Sequence, residues 1–223
     1  MAKSISKTVQ TIIDNDLPLQ DALRKGYGNY SAIARMLRER VNDKLDQEVK
    51  LESIITAVKR ASVPATSHRE DITKVVAESI INIRTDVTKI SVEKTKRNLE
   101  KIRTTVSNLS EEFFHMIEGV SAVTLIFDQK ILDKVESNFQ TEILDKRKKL
   151  AAVIIRSPTN MVTTPGCLLT FVNAISRRDI NIEETMSCFT DTIFLLAMDD
   201  VSKAFSALTD LIGGARKRMA SKA

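Results

Sequence analysis

Few residues of this 223-residue chain are of a kind that does acid–base or nucleophilic chemistry, and they are scattered. Its two histidines fall in different segments. His68 sits in a polar connection, where solvation is expected. His115 sits in a β-rich run, where a packed or edge position is expected. Cys167 and Cys188 are the two cysteines. Cys167 follows Pro165-Gly166 at an expected helix start, a position that can lower a thiol pKa. No base stands beside it in the sequence to complete a nucleophile. Cys188 reads as a strand residue with a packed thiol. No G-x-x-x-x-G-K-S/T, G-x-S-x-G or H-E-x-x-H run occurs, and no cluster has metal-ligand spacing. The chain is therefore expected to be no enzyme and to hold no metal or cofactor.

The remaining chemistry is binding. In TTPGCLLTFVNAISRRDINIEETMS, a loop leads through Pro-Gly into an apolar run of helical period. A helix start exposes free N–H groups at the positive end of the dipole, and these attract a carboxylate. Proline in the first turn costs no hydrogen bond, and Gly166 admits a ligand or another backbone. The candidate loop is Asn160, Met161, Val162, Thr163, Thr164, Pro165, Gly166 and Cys167. The same residues also make good capping chemistry with nothing bound, and both readings stay open.

A second binding surface is suggested by charge. The net charge is +5. Residues 1–62 carry 11 Lys and Arg against 8 Asp and Glu, and residues 200–223 carry 5 against 2. The basic excess thus lies at the two ends, where it suits an anionic partner such as DNA or is ordinary surface charge. In NYSAIARMLRERV…KLESIITAVKRAS, one helix, a connection and a second helix are read. As a helix-turn-helix, Lys50, Ser53, Thr56, Lys59 and Arg60 would be the DNA contacts and Arg35 and Arg38 would touch backbone. The competing reading is a helical dimerisation domain whose charges form a solvated face.

These sites need elements to hold them. Residues 1–62 show helical periodicity throughout: Ile5, Val9, Ile12 and Ile13; then Ile33, Met36, Leu37 and Val41, capped by Asn29 or Ser31; then Leu51, Ile54, Ile55 and Val58. A connection at SVPATSHRED and a short helix over 69–78 follow. SIINIRTDVTKISVEK is rich in β-branched residues and reads as one or two strands. A helix, a hairpin turning at Glu118–Gly119 and a helix over QKILDKVESNF come next. ILDKRKK reads as a charged bridge, LAAVIIRS as a strand. The loop helix, a second hairpin meeting near Phe189–Asp191 and a helix ending at Ile212 complete the order. GGARKRMASKA reads as a frayed basic tail. A β-α-β-β-α unit therefore recurs, over 86–139 and 150–213, each as a split βαβ sheet with its helices on one face.

Residues Leu150–Ile212 resemble the ACT domain, a small ligand-binding regulatory fold. Its usual signature is a strand, an Asn/Asp-rich loop, Pro-Gly, an apolar helix and Gly-Ile-Asn-Ile. Here Asp179 stands where glycine is usual. The first copy lacks Pro-Gly and has a shorter strand-to-helix connection, so it resembles a degenerate member. The resemblance implies amino-acid binding at Asn160, Thr163, Thr164, Pro165, Gly166 and Cys167. Asn181 and Glu183, expected on the following strand, would meet the ligand's amino group.

The fold expected is α+β. A helical, winged-helix-like domain spans 1–78. ACT-like βαββαβ ferredoxin-like modules span 79–148 (degenerate) and 149–213, and the tail 214–223. The function expected is amino-acid-responsive regulation, coupled to DNA binding by the N-terminal domain. The alternatives are a regulatory subunit that controls a biosynthetic enzyme through protein contacts, and a purely structural oligomeriser. A homodimer is expected from exposed sheet edges. A cytoplasmic location is expected from two free thiols, the lack of an apolar signal core and the lack of any apolar run near the ~20 residues that span a bilayer.

Overall fold

The computed structural model describes residues 4–61, 69–107, 113–139 and 142–221. The chain divides into two compact units, Met1–Ser67 and His68–Ala223. The connection expected around Pro64 and His68 lies outside the described residues.

The described residues of the first unit form helices and no strand: α1 (Ile5–Asp14), α2 (Leu17–Arg24), α3 (Tyr30–Leu45) and α4 (Leu51–Arg60). Local chemistry sets their ends. The Asp16 side chain accepts from the Leu19 N–H at 3.1 Å. The Asn29 side chain accepts from Ser31 and Ala32, each at 3.0 Å, which makes Asn29 the cap of α3. Asp46, left-handed at φ 52°, ends that helix. The apolar stripes meet in one core of Val9, Ile12, Ile13, Ile33, Leu37, Val41, Ile54 and Val58. Met36, grouped with this stripe by its spacing, is exposed instead. No wing is found among the described residues, so a DNA-reading role would fall to α3 and α4 alone.

The second unit runs α5 (Arg69–Glu78), β1 (Ile80–Glu93), α6 (Lys96–Ser107), β2 (Phe114–Glu118), β3 (Ala122–Asp128), α7 (Leu132–Glu136), β4 (Ile143–Arg156), α8 (Cys167–Ser176), β5 (Glu184–Cys188), β6 (Asp191–Ala197) and α9 (Val201–Ala220). All strands pair antiparallel, in the order β2-β3-β1-β4-β6-β5. The unit β-α-β-β-α occurs twice, as β1-α6-β2-β3-α7 and β4-α8-β5-β6-α9.

The two halves share their central strands. β1 and β4 are each 14 residues long. Ile80–Arg84 pairs only with the end of β4, Ala152–Arg156, and β3 joins β1 from Val87 onward. Correspondingly, β6 joins β4 only from Leu150 onward. Each half therefore has four strands, and the outer one is borrowed from the other half's long strand. The two strands bend where they change sheets. Asp86 and Lys149 are both left-handed at φ 55°, and the β1–β4 register slips between Arg84 and Val87. A left-handed residue with a bulge turns a strand sharply.

Two expectations are corrected here. ILDKRKK is no bridge but the first half of β4. Its solvent-exposed edge position tolerates lysine, so the usual apolar signal of a strand is missing. The described residues of the tail over 214–223 are no frayed end, because α9 continues through Gly213 and Gly214 to Ala220. Ala215 is fully buried, and the Arg216 guanidinium donates to the carbonyls of Ala77 (2.9 Å) and Ser79 (3.3 Å) at the end of α5. Those carbonyls have no partner within their own helix, and the arginine supplies one.

Each half buries its helices against one sheet face. α6 and α7 cover Ile90, Val92, Val123, Leu125 and Phe127. α8, α9 and α5 cover Val153, Ile155, Phe194 and Leu196. The bare faces are buried too: Val87, Ile126, Leu150, Ala152, Ile193 and Leu195 form one cluster drawn from both halves. Across it, Lys89 on β1 reaches Glu184 of β5 at 3.4 Å. Two strands separate β1 from β5, so a flat sheet would hold them about 14 Å apart. The bend at Asp86 and Lys149 folds the sheet over and brings them together.

Lys149 is exposed, so its backbone angle decides its cost. Lys149→Gly is expected to raise the urea midpoint, since glycine takes a left-handed angle freely. Lys149→Val is expected to lower stability by about 1–2 kcal/mol, read from the same urea titration.

Candidate functional site

The candidate loop lies between β4 and α8. Thr159–Thr163 forms one 3-10 turn, closed by the Met161 N–H on the Pro158 carbonyl (3.0 Å) and the Thr164 N–H on Met161 (3.2 Å). The hydroxyls of Thr163 and Thr164 both donate to the Asn160 carbonyl, at 3.3 and 2.7 Å. The two threonines thus brace the loop internally. The Asn160 Oδ1 is buried and finds no hydrogen-bond partner among the described residues.

Gly166 is the N-cap of α8, at φ 91°, and no side chain caps the helix. Pro165 precedes the cap, outside the first-turn position expected for it. The space that Gly166 leaves open is filled from within the chain: a Cβ here would stand 3.2 Å from the Ile72 Cδ1 of α5. Cys167 is buried. Burial, and secondarily the nearby Asp71 carboxylate, push its thiol up from the ordinary range. This overturns the lowered pKa that a helix start suggests. Desolvation and a neighbouring negative charge outweigh the dipole. Cys188, expected to be packed, is exposed.

Asn181 and Glu183 lie just before β5 and not on it. Glu183 already faces ammonium and guanidinium groups of this chain: Lys89 Nζ at 3.6 Å and Arg147 Nε at 3.9 Å. The buried Lys89 is also held by Asp145 (3.5 Å) and Glu184 (3.4 Å). The Asn181 amide reaches Glu183 at 3.5 Å. Glu183, expected to meet a ligand's amino group, here faces cations of the protein itself. Lys89 went unread because a lysine in a β-rich run carries no signal that it will be buried. Asp179 is left-handed at φ 55°, which explains why glycine suits that position.

In the first unit, Arg35, Arg38, Lys50, Thr56, Lys59 and Arg60 are exposed and Ser53 is half-buried. The Thr56 hydroxyl donates to the Glu52 carbonyl at 2.8 Å. Arg38 lies 3.7 Å from Glu48. Ser53, Thr56 and Arg60 line a groove shared with Ile5 and Ser6 of α1.

Among the described residues no group of three His, Cys, Asp or Glu side chains is arranged to hold a metal ion. No described helix is long and apolar enough to cross a membrane. His115, on edge strand β2, packs edge-on against Phe113 at 4.7 Å, and burial lowers its pKa.

No protein-family model matches the chain, and no curated protein matches it. Solved structures do. The regulatory subunit of aspartate kinase from Thermus flavus superposes with a TM-score of 0.50 at 13% identity, covering 59% of this chain and 95% of that one. The ligand-free regulatory subunit of aspartate kinase from Thermus thermophilus gives 0.48 at 14% identity, covering 59% and 95%. Aspartate kinase of Clostridium acetobutylicum, described as an allosteric enzyme, gives 0.48 at 21% identity, covering 60% of this chain and 34% of that one. This chain thus spans about a third of the Clostridium enzyme. The likeness is one of fold alone.

Gly166→Ala is expected to cost about 1–2 kcal/mol from the left-handed backbone, measured by urea unfolding. Adding Ile72→Ala relieves the contact but not the angle, so recovery will be partial. The thiol gives a pH test. A raised folded pKa keeps Cys167 protonated where the unfolded thiol ionises, so stability falls as pH climbs through and above the ordinary thiol range. Cys167→Ser is expected to flatten that part of the stability–pH curve.

Proposed function

We propose that the chain is an amino-acid-responsive regulatory protein, and that its second unit senses the effector and controls an enzyme through protein contacts. The observation that carries this reading is the loop Asn160–Cys167. A helix N-terminus without a side-chain cap and the unpartnered Asn160 Oδ1 lie together in it. The free N–H groups of the first turn suit a carboxylate, and an unpaired amide oxygen accepts from an ammonium. The fold shared with the Thermus flavus regulatory subunit agrees with such a role. Thr163, Thr164, Pro165, Gly166 and Cys167 shape the site; Asn181 and Glu183, which lie with the Lys89 cluster, would meet the ligand's ammonium from a second module.

The site is completed by a second copy in this reading. Val162, Leu168 and Leu169 are exposed beside the loop, and this apolar patch at the start of α8 suits an interface. DNA binding through Arg35, Arg38, Lys50, Ser53, Thr56, Lys59 and Arg60 is the second reading, favoured by the exposure of those cations. A steep loss of affinity for DNA fragments with rising salt would separate it from control through protein contacts.

Thermal unfolding against each standard amino acid tests the main reading. An effector at about 100 times its Kd adds roughly 2.7 kcal/mol, which moves Tm by several degrees at this size. Asn160→Leu is expected to unfold normally without ligand and to lose the shift. If no amino acid moves Tm, the sensing role fails.

A further inference from the structure

We propose that the open edge of β1, from Ile80 to Asp86, takes up an extended segment of a partner protein as an added strand. This edge is separate from the effector loop, and the inference does not depend on what binds there.

Among the described residues this edge has no paired strand, because β1 is shared between half-sheets. Ile80–Arg84 hydrogen-bonds to β4 on one side, while β3 reaches only to Val87 on the other. A strand end that lacks one neighbour presents a row of unpaired N–H and C=O groups, which is a template for pairing. Residues 82–86 are exposed throughout.

Two cavities run along this same edge. One, of about 300 Å³, lies between Ser79–Ile81 and α9, against Phe205, Ile212 and Gly213. The other, of about 490 Å³, lies between Ile83–Asp86 and the end of β3, at Asp128–Lys130. Each is lined in part by residues of this edge. Arg84 is held aside from the edge by Asp128, with Nε 2.8 Å from Oδ1, and by the Phe113 ring at 5.5 Å.

The matching edge in the other half shows that openness is not general. Residues 143–149 of β4 are likewise paired on one side only, but they carry Lys146, Arg147, Lys148 and Lys149. Charged edges, lysine above all, deter strand addition. The β1 edge has no such run of lysines: beside Arg84 and Asp86 it carries Ile80 and Ile83, 50% and 38% exposed. One of two related edges is guarded and the other is receptive.

The chemistry of the edge names the partner. Its first half offers apolar surface from Ile80 and Phe205. Its second half ends on Asp86, an exposed carboxylate that accepts from the Thr85 hydroxyl at 3.2 Å. The segment that fits is extended, carries apolar side chains at alternate positions and has a lysine or arginine at the end beside Asp86. Main-chain pairing supplies affinity and these two ends supply direction.

The test uses the full chain without effector. An array of synthetic octapeptides, apolar at alternate positions and ending in Lys, Glu or Ser, is titrated by fluorescence anisotropy. Lys-ended peptides are expected to bind best. Ile80→Lys with Ile83→Lys is expected to weaken binding by about tenfold or more, as edge lysines do, with Tm little changed because both side chains are exposed. Asp86→Lys is expected to switch the preference to Glu-ended peptides. Leu144→Lys, on the guarded edge, serves as the control and should leave binding intact. Bound peptide should slow amide exchange within residues 80–86. Absence of binding across the array, or binding that survives the Ile80/Ile83 double change, overturns the proposal. So does sedimentation showing that the double change dissociates a dimer, since a second copy would then own the edge.

Discussion

Two long strands that change sheets halfway set the architecture of the second unit. Asp86 and Lys149 turn β1 and β4 at the same place, and the consequences spread outward. Each half gains a fourth strand, the sheet folds over, and the bare faces close on Val87, Ile126 and Leu195. Were both strands straight, those apolar faces would lie open to water and Lys89 would keep Asp145 on the adjoining strand but lose Glu183 and Glu184. The strain of two left-handed residues is small beside the area that their turn buries.

That frame explains why the candidate loop is rigid. Its threonines bond back to Asn160, Gly166 is closed over by Ile72, and α5 is fixed at its other end by Arg216. In the proposed sensing role, a loop held this way would recognise by preorganisation. The same packing places an acidic residue, Asp71, near the start of α8, where it raises the Cys167 thiol. A charge brought by a ligand would meet an environment already tuned by the chain's own residues.

Much of this was legible in the sequence, for reasons that can be named. Helices α1, α3 and α4 announced themselves through apolar spacing, because each has one wet face. The two hairpins were legible through β-branched runs broken at Gly119 and near Thr190. The Pro-Gly loop was legible as a helix start. What escaped depended on tertiary context. The first half of β4 reads as a charged bridge since an edge strand in water needs no apolar side chains. α9 reads as ending at Gly213 since two glycines favour a stop, yet burial of Ala215 and the bonds of Arg216 carry it on. Lys89 and Glu183 carry no local sign of each other across the fold. The surroundings of Gly166 were equally hidden, since nothing near it in sequence points to Ile72.

The borrowed strand also bears on how the molecule is made. Ile80 pairs with Arg156 and Ile81 with Ile155, so the first strand of the sheet waits on the ribosome for more than half of the unit to emerge. Until then Ile80–Arg84 has no neighbour on either side, and the first half-sheet lacks its outer strand. Such long-range pairing slows folding and leaves apolar strand exposed to other nascent chains. Neither half could be duplicated, excised or transplanted as a self-sufficient piece, and the two are bound to be inherited together.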